Sequence, residues 1–174
     1  MKPALCRLAL CWAVAILPGS ALAADPLVTE LKQRLASAGV ESVNDYLSAH
    51  PDSAMPHLNR KTVSCELQAV SLAIRLARGA NARAVQAHEE SLRAATGRCA
   101  RFILALVSAA EVPRVCASQA ALGAAQTARE LRRRIADKLL RATAQGQACQ
   151  AAYLYELKNT RVTLRVASPA APER

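Results

Sequence analysis

The sequence predicts an all-α, disulfide-stapled helical bundle of two related helical hairpins, with a short N-terminal helical hairpin beside them. Three observations carry that expectation. Apolar residues recur at helical spacing from Leu27 onward. Beyond the N-terminal leader, the remaining cysteines fall in two nearly equal spans, Cys65 to Cys99 at 34 residues and Cys116 to Cys149 at 33. The start of the first span also resembles the start of the second, with Cys, Gln68/Gln119, Ala69/Ala120, Ala73/Ala124, Ala77/Ala128, Arg78/Arg129 and Arg83/Arg134 in common.

Residues 1–23 read as a signal peptide. Lys2 and Arg7 supply the positive start, Leu8 to Leu17 an apolar run, Pro18-Gly19 a break and Ala21-Leu22-Ala23 a cleavage site. The apolar run is too short to span a bilayer, so no transmembrane segment is expected in the mature chain. Leu10 stands before Cys11 where a lipidation site wants a small residue. Cleavage leaves one domain's worth of chain, able to bury about two-thirds of its unfolded surface. The expected location is periplasmic or secreted.

Residues 24–56 form the expected N-terminal helical extension. Leu27, Leu31 and Leu35 share one helix face, Gly39 ends it, and Ser42 to Asp45 resembles the cap of a second short helix that stops before Pro51 and Pro56. The bundle is expected over 57–160, as repeats of about 57–110 and 111–160. Val63, Leu67, Val70 and Ile74 make its first apolar stripe, widened by Leu72 and Leu76 and closed by Gly79. Asn81 caps the next helix, in which Val85, Leu92, Cys99 and Leu106 recur every seven residues, joined by Phe102 and Ile103; Gly97 is a possible break.

After Val112-Pro113 the chain is alanine-rich and free of proline from Cys116 to Thr143. One straight helix there would hold Cys116 and Cys149 tens of ångströms apart, far beyond the ~7 Å Cα limit of a disulfide. A break between Gly123 and a Thr127-to-Glu130 capping box resolves the conflict. Leu131, Ile135 and Leu139 form the following stripe, ended by Gly146, and 148–158 is again helical in pattern. Arg161 to Val166 alternates polar and apolar, a strand-like period in a segment, 161–174, expected to be extended or disordered.

In an oxidising compartment four such cysteines are a disulfide framework. Four cysteines allow three connectivities, and sequence alone does not choose among them. Hairpin geometry favours Cys65–Cys99, whose midpoint lies beside the Gly79–Asn81 turn, and with the break near Gly123 it favours Cys116–Cys149. Structural zinc would want close cysteine pairs, and there are none.

Without the leader, Lys and Arg number 21 against 13 Asp and Glu, and arginine dominates. Such a surface favours acidic partners. Nucleic acid is not expected, because only Tyr46, Phe102, Tyr153 and Tyr155 remain to stack on bases. His88-Glu89 begins a zinc-protease motif, but Leu92 occupies the second ligand position. His50 and His57 have no acidic or cysteine companion at ligand spacing. Neither a nucleophile elbow, a phosphate-binding loop nor a redox cysteine pair is present, and no cofactor or metal is expected.

The candidate binding residues are Arg129, Arg132, Arg133, Arg134, Lys138 and Arg141, with Arg134, Lys138 and Arg141 on one helical face opposite the leucine stripe. The expected function is therefore an exported, non-catalytic binding protein. The leading form is an immunity or inhibitor protein that neutralises a secreted toxin or enzyme through an acidic surface. The alternative is an envelope-associated protein that binds polyanions or lipid headgroups.

Overall fold

The computed structural model describes residues 25–119 and 122–167; the leader expected over 1–23 and the end of the expected tail, 168–174, lie outside the described residues. Among the described residues the chain is all helical, with no strand.

The first helix, α1 (Pro26–Ala49), is capped by Asp25, whose carboxylate accepts from the amides of Leu27 and Val28. The same carboxylate pairs with His57 at 2.9 Å and Lys61 at 3.4 Å on α2 (Ala54–Val63), and this holds Asp25 down to about 2 against the cost of its partial burial. Gly39 splits α1 with a φ of 81°, a conformation open to glycine, so its second half begins directly after Gly39 and ahead of the Ser42 cap read from sequence. Pro56 lies in the first turn of α2, where a missing N–H costs nothing. That helix therefore crosses the boundary expected after residue 56.

The stripe drawn from Val63 to Ile74 is broken. Residues 64–66 leave the helix, with Cys65 at a φ of 63°, and α3 (Leu67–Leu76) starts afresh. Leu67 consequently points out and is 59% exposed. α3 is buried on both sides instead. Ala69, Leu72 and Leu76 join Val28, Leu31, Leu35, Val43, Leu47 and Leu58 in one core, while Val70, Ala73 and Ile74 join Leu92, Ile103, Leu131 and Tyr153 in another.

Asn81 caps α4 (Ala82–Leu106), its side chain accepting from the amide of Ala84 at 3.1 Å. Gly97 does not interrupt α4; the kink falls two residues later, at Cys99. A short α5 (Val112–Val115) leads to Cys116, and α6 (Ala124–Ile135) starts after Gly123, where the break was expected. Thr127 and Glu130 lie inside α6, not at its start: the Thr127 hydroxyl turns back to the Leu122 carbonyl, and Glu130 pairs with arginines.

A 3-10 helix (Lys138–Ala142) then reverses the chain into α7 (Ala144–Ala167). Gly146 does not stop a helix. It sits in the first turn of α7, where a Cβ would lie 1.8 Å from the Leu140 carbonyl oxygen. Thr143 caps this turn by accepting from the Gly146 amide. α7 continues through Ala167, so the alternating segment 161–166 is helical in backbone.

Both cysteine pairs are at bonding distance in the expected connectivity. Cα atoms lie 6.1 Å apart for Cys65–Cys99 and 5.3 Å for Cys116–Cys149. A second tie supports the latter: Ser118 donates its amide and its hydroxyl to the Glu156 carboxylate on α7.

Asn44 and His88 form a polar link in the interior. The Asn44 amide nitrogen donates to the Leu76 carbonyl at 3.1 Å, so its oxygen is the acceptor for His88 Nε2 at 3.2 Å. That fixes neutral His88 as the Nε2–H tautomer. Burial lowers its pKa to about 4.

Two outcomes are expected. Gly146→Ala should destabilise the fold by about 2 kcal/mol or more, read by urea denaturation, because helix backbone and not a flexible side chain must yield. For His88, the unfolded chain takes up a proton near pH 6.5 and the folded chain resists it down to about 4. Stability should therefore fall by about 3 kcal/mol as pH drops through that window, and His88→Gln should flatten the loss. Asp25 and Glu111, each held at about 2, add their losses only at lower pH.

A cationic groove between α4 and the α6 corner

The six candidate binding residues part into two groups. Arg129, Arg132 and Arg133 on α6, and Lys138 and Arg141 on the 3-10 helix, are exposed. Arg134 is 5% exposed and belongs to the interior. The expected face of Arg134, Lys138 and Arg141 does not exist, because α6 ends at Ile135 and the chain tightens before it reaches Lys138. Gln150 of α7 satisfies that helix end by donating to the carbonyls of Ile135 and Asp137.

Arg134 is held on three sides. Its Nε donates to Glu130 at 2.8 Å, and its Nη1 donates to the Arg93 carbonyl and to the Tyr153 hydroxyl, each at 3.1 Å. Its guanidinium also lies 5.5 Å from the centroid of the Tyr153 ring. Glu130 binds Arg133 as well, through two contacts of 2.7 and 3.0 Å, and Arg133 followed by Arg134 holds its carboxyl below the ordinary range. Burial pushes the Tyr153 phenol up. The guanidinium has room because Gly97 of α4 lies opposite; a Cβ there would sit 3.2 Å from Arg134 Nη2.

This packing leaves a groove between α4 and the reversing chain. Its first cleft, about 220 Å³, is lined by Thr96, Gly97, Arg133, Arg134, Asp137, Leu140 and Tyr153. The second, about 200 Å³, is lined by Arg101, Leu104, Ala105, Leu140, Thr143 and Gln145. Leu140 lines both. Arg101 is the residue that sequence reasoning missed: it sits nearly forty positions from the 3-10 helix, and only the fold brings the two together. Glu130 was legible as a partner for Arg133 and Arg134 from its helical spacing alone.

Such a groove can receive a polar, negatively charged chain segment. Among the described residues no cluster of three or more His, Cys, Asp or Glu is placed to hold a metal ion, and no helix is long and apolar enough to cross a membrane. No protein-family model matches the chain, and no curated protein or solved structure matches it significantly.

Replacing Arg134 by Ala should cost about 2–3 kcal/mol in urea denaturation, since it strips a partner from Glu130, Tyr153 and a buried carbonyl together. Arg132→Ala and Arg141→Ala, at exposed positions, should each stay within about 0.5 kcal/mol. Equal costs at all three positions would contradict this division of roles.

Proposed function

We propose that the protein is an exported binding protein without catalysis, which neutralises a secreted toxin or enzyme by docking on an acidic surface of that partner. The observation that carries this reading is the display of Arg129, Arg132, Lys138 and Arg141 toward solvent beside a groove, while Glu130 of α6 is taken by Arg133 and Arg134. Cations that serve the fold alone would be neutralised by neighbouring carboxylates, as Arg78 is by Glu111. These are not.

The two cysteine pairs fit the same role. Read as two related hairpins, each closed by its own bridge, they make a scaffold that loses little freedom on association. Arginine supplies planar, bidentate contacts to carboxylates and is enriched at the energetic centres of interfaces. Export through a cleaved signal peptide would place the chain in the periplasm or outside the cell, where disulfides persist.

The test is affinity capture with the oxidised chain from residue 24 onward, applied to envelope and secreted fractions of the producing cell. One protein retained in stoichiometric amount through moderate salt is expected. Arg132→Glu combined with Arg141→Glu should lower its affinity at least tenfold, whereas Lys32→Glu with Arg75→Glu, on the α1–α3 side, should not. Retention of salt-labile polysaccharide or lipid in place of a protein would overturn the reading in favour of an envelope polyanion binder.

A further inference from the structure

The groove has a feature that charge attraction alone does not require. In its second cleft the floor is carbon: Leu104 and Leu140 are both nearly buried and form the apolar base. Among the described residues of its lining the one charged side chain is cationic, the exposed Arg101 on the α4 bank. No acidic residue lines this cleft. It meets the first cleft at Leu140; there Arg133 is paired with Glu130 and Asp137 shares the lining, so among the described residues the unpaired cation of the groove wall is Arg101.

We infer that the groove is an anchor site for a short acidic segment of the partner protein, in which one large apolar side chain enters the Leu104–Leu140 cleft and a flanking carboxylate pairs with Arg101. This rests on the protein-docking reading above and names the chemistry it recognises. Each part follows from the lining. A polar side chain placed on that floor would lose water without gaining a partner, so the cleft selects an apolar one. The Arg101 guanidinium on the α4 bank selects a carboxylate and can hold it in bidentate geometry. An apolar anchor in a pocket, ringed by polar contacts that exclude water, is the arrangement that concentrates binding energy at interfaces. A polysaccharide or free phosphate would meet the rim and leave the floor unused.

The test uses the oxidised chain from residue 24 onward and two labelled hexapeptides. One has five acidic residues around a single tryptophan; the other has alanine in place of the tryptophan. Anisotropy titrations in moderate salt should give the tryptophan peptide at least a tenfold advantage, about 1.4 kcal/mol. Ala105→Trp, made at an exposed position on the cleft wall, should erase that advantage and leave the alanine peptide's weaker affinity unchanged. Gln145→Trp reads the same result from the opposite wall should the first variant fold poorly. Arg101→Glu should weaken both peptides at least fivefold. Equal affinity for the two peptides, or an advantage that survives filling the cleft, would overturn the anchor while leaving the cationic docking face standing. Binding of neither peptide would overturn both.

Discussion

The burial of α3 on two faces, each in a different core, is the constraint on which the rest of this structure depends. A helix with two apolar faces, leaving water only a stripe at Leu67, Gln68 and Arg75, packs between two other layers. Here α1 and α2 cover one side and the helices from α4 onward cover the other. The N-terminal helices thus close one of the two cores and are not an accessory. The ends of α3 are fixed accordingly. Cys65 ties the chain just before it to α4, and Asn44 takes the last carbonyl of the helix, Leu76, while linking α1 to His88.

The second half of the molecule is built on thinner apolar means. α6 buries only Thr127, Ala128, Leu131 and Arg134. So little carbon does not hold a helix in place, and directed contacts do the rest: Cys116–Cys149, the Ser118–Glu156 link and the grip of Arg134 on Glu130, Arg93 and Tyr153. Burial makes such contacts strong when complete and costly when broken. One arginine of the cluster is therefore architectural, and its position is what orients its exposed neighbours.

Helix type, the Asn81 cap, the break at Gly123 and the cysteine pairing were legible because each follows from local chemistry or from the symmetry of a hairpin about its turn. The misreadings share a different cause. The stripe through Leu67 continued across 64–66 because periodicity does not register a one-residue excursion such as that at Cys65. Residues 161–166 are too few for periods of 2 and 3.6 to diverge, and their helical state comes from continuing α7. Gly146 looks like a terminator only until the Leu140 carbonyl is placed beside it. Arg134 was assigned to solvent by its charge, and nothing local announces that Gly97 lies opposite. The groove itself was invisible for the same reason: its walls are distant in sequence.

Where the two bridges end bears on how that groove works. Cys99 lies between Gly97 and Arg101 on the α4 wall, and Cys149 lies one turn beyond Gln145 on the α7 wall. The first bridge holds the α4 wall to the α2–α3 junction, and the second holds the α7 wall to the end of α5. Each bridge contributes about 2–4 kcal/mol to stability, yet their placement matters beyond that sum. Two walls anchored independently to the body keep their spacing without relying on the polar, weakly cored α6. A groove whose width is held by covalent bonds would meet the proposed ligand already formed, so less of the contact energy would be lost to ordering the site. On this view the bridges explain how a corner with so little apolar packing can hold a cationic cleft open toward solvent.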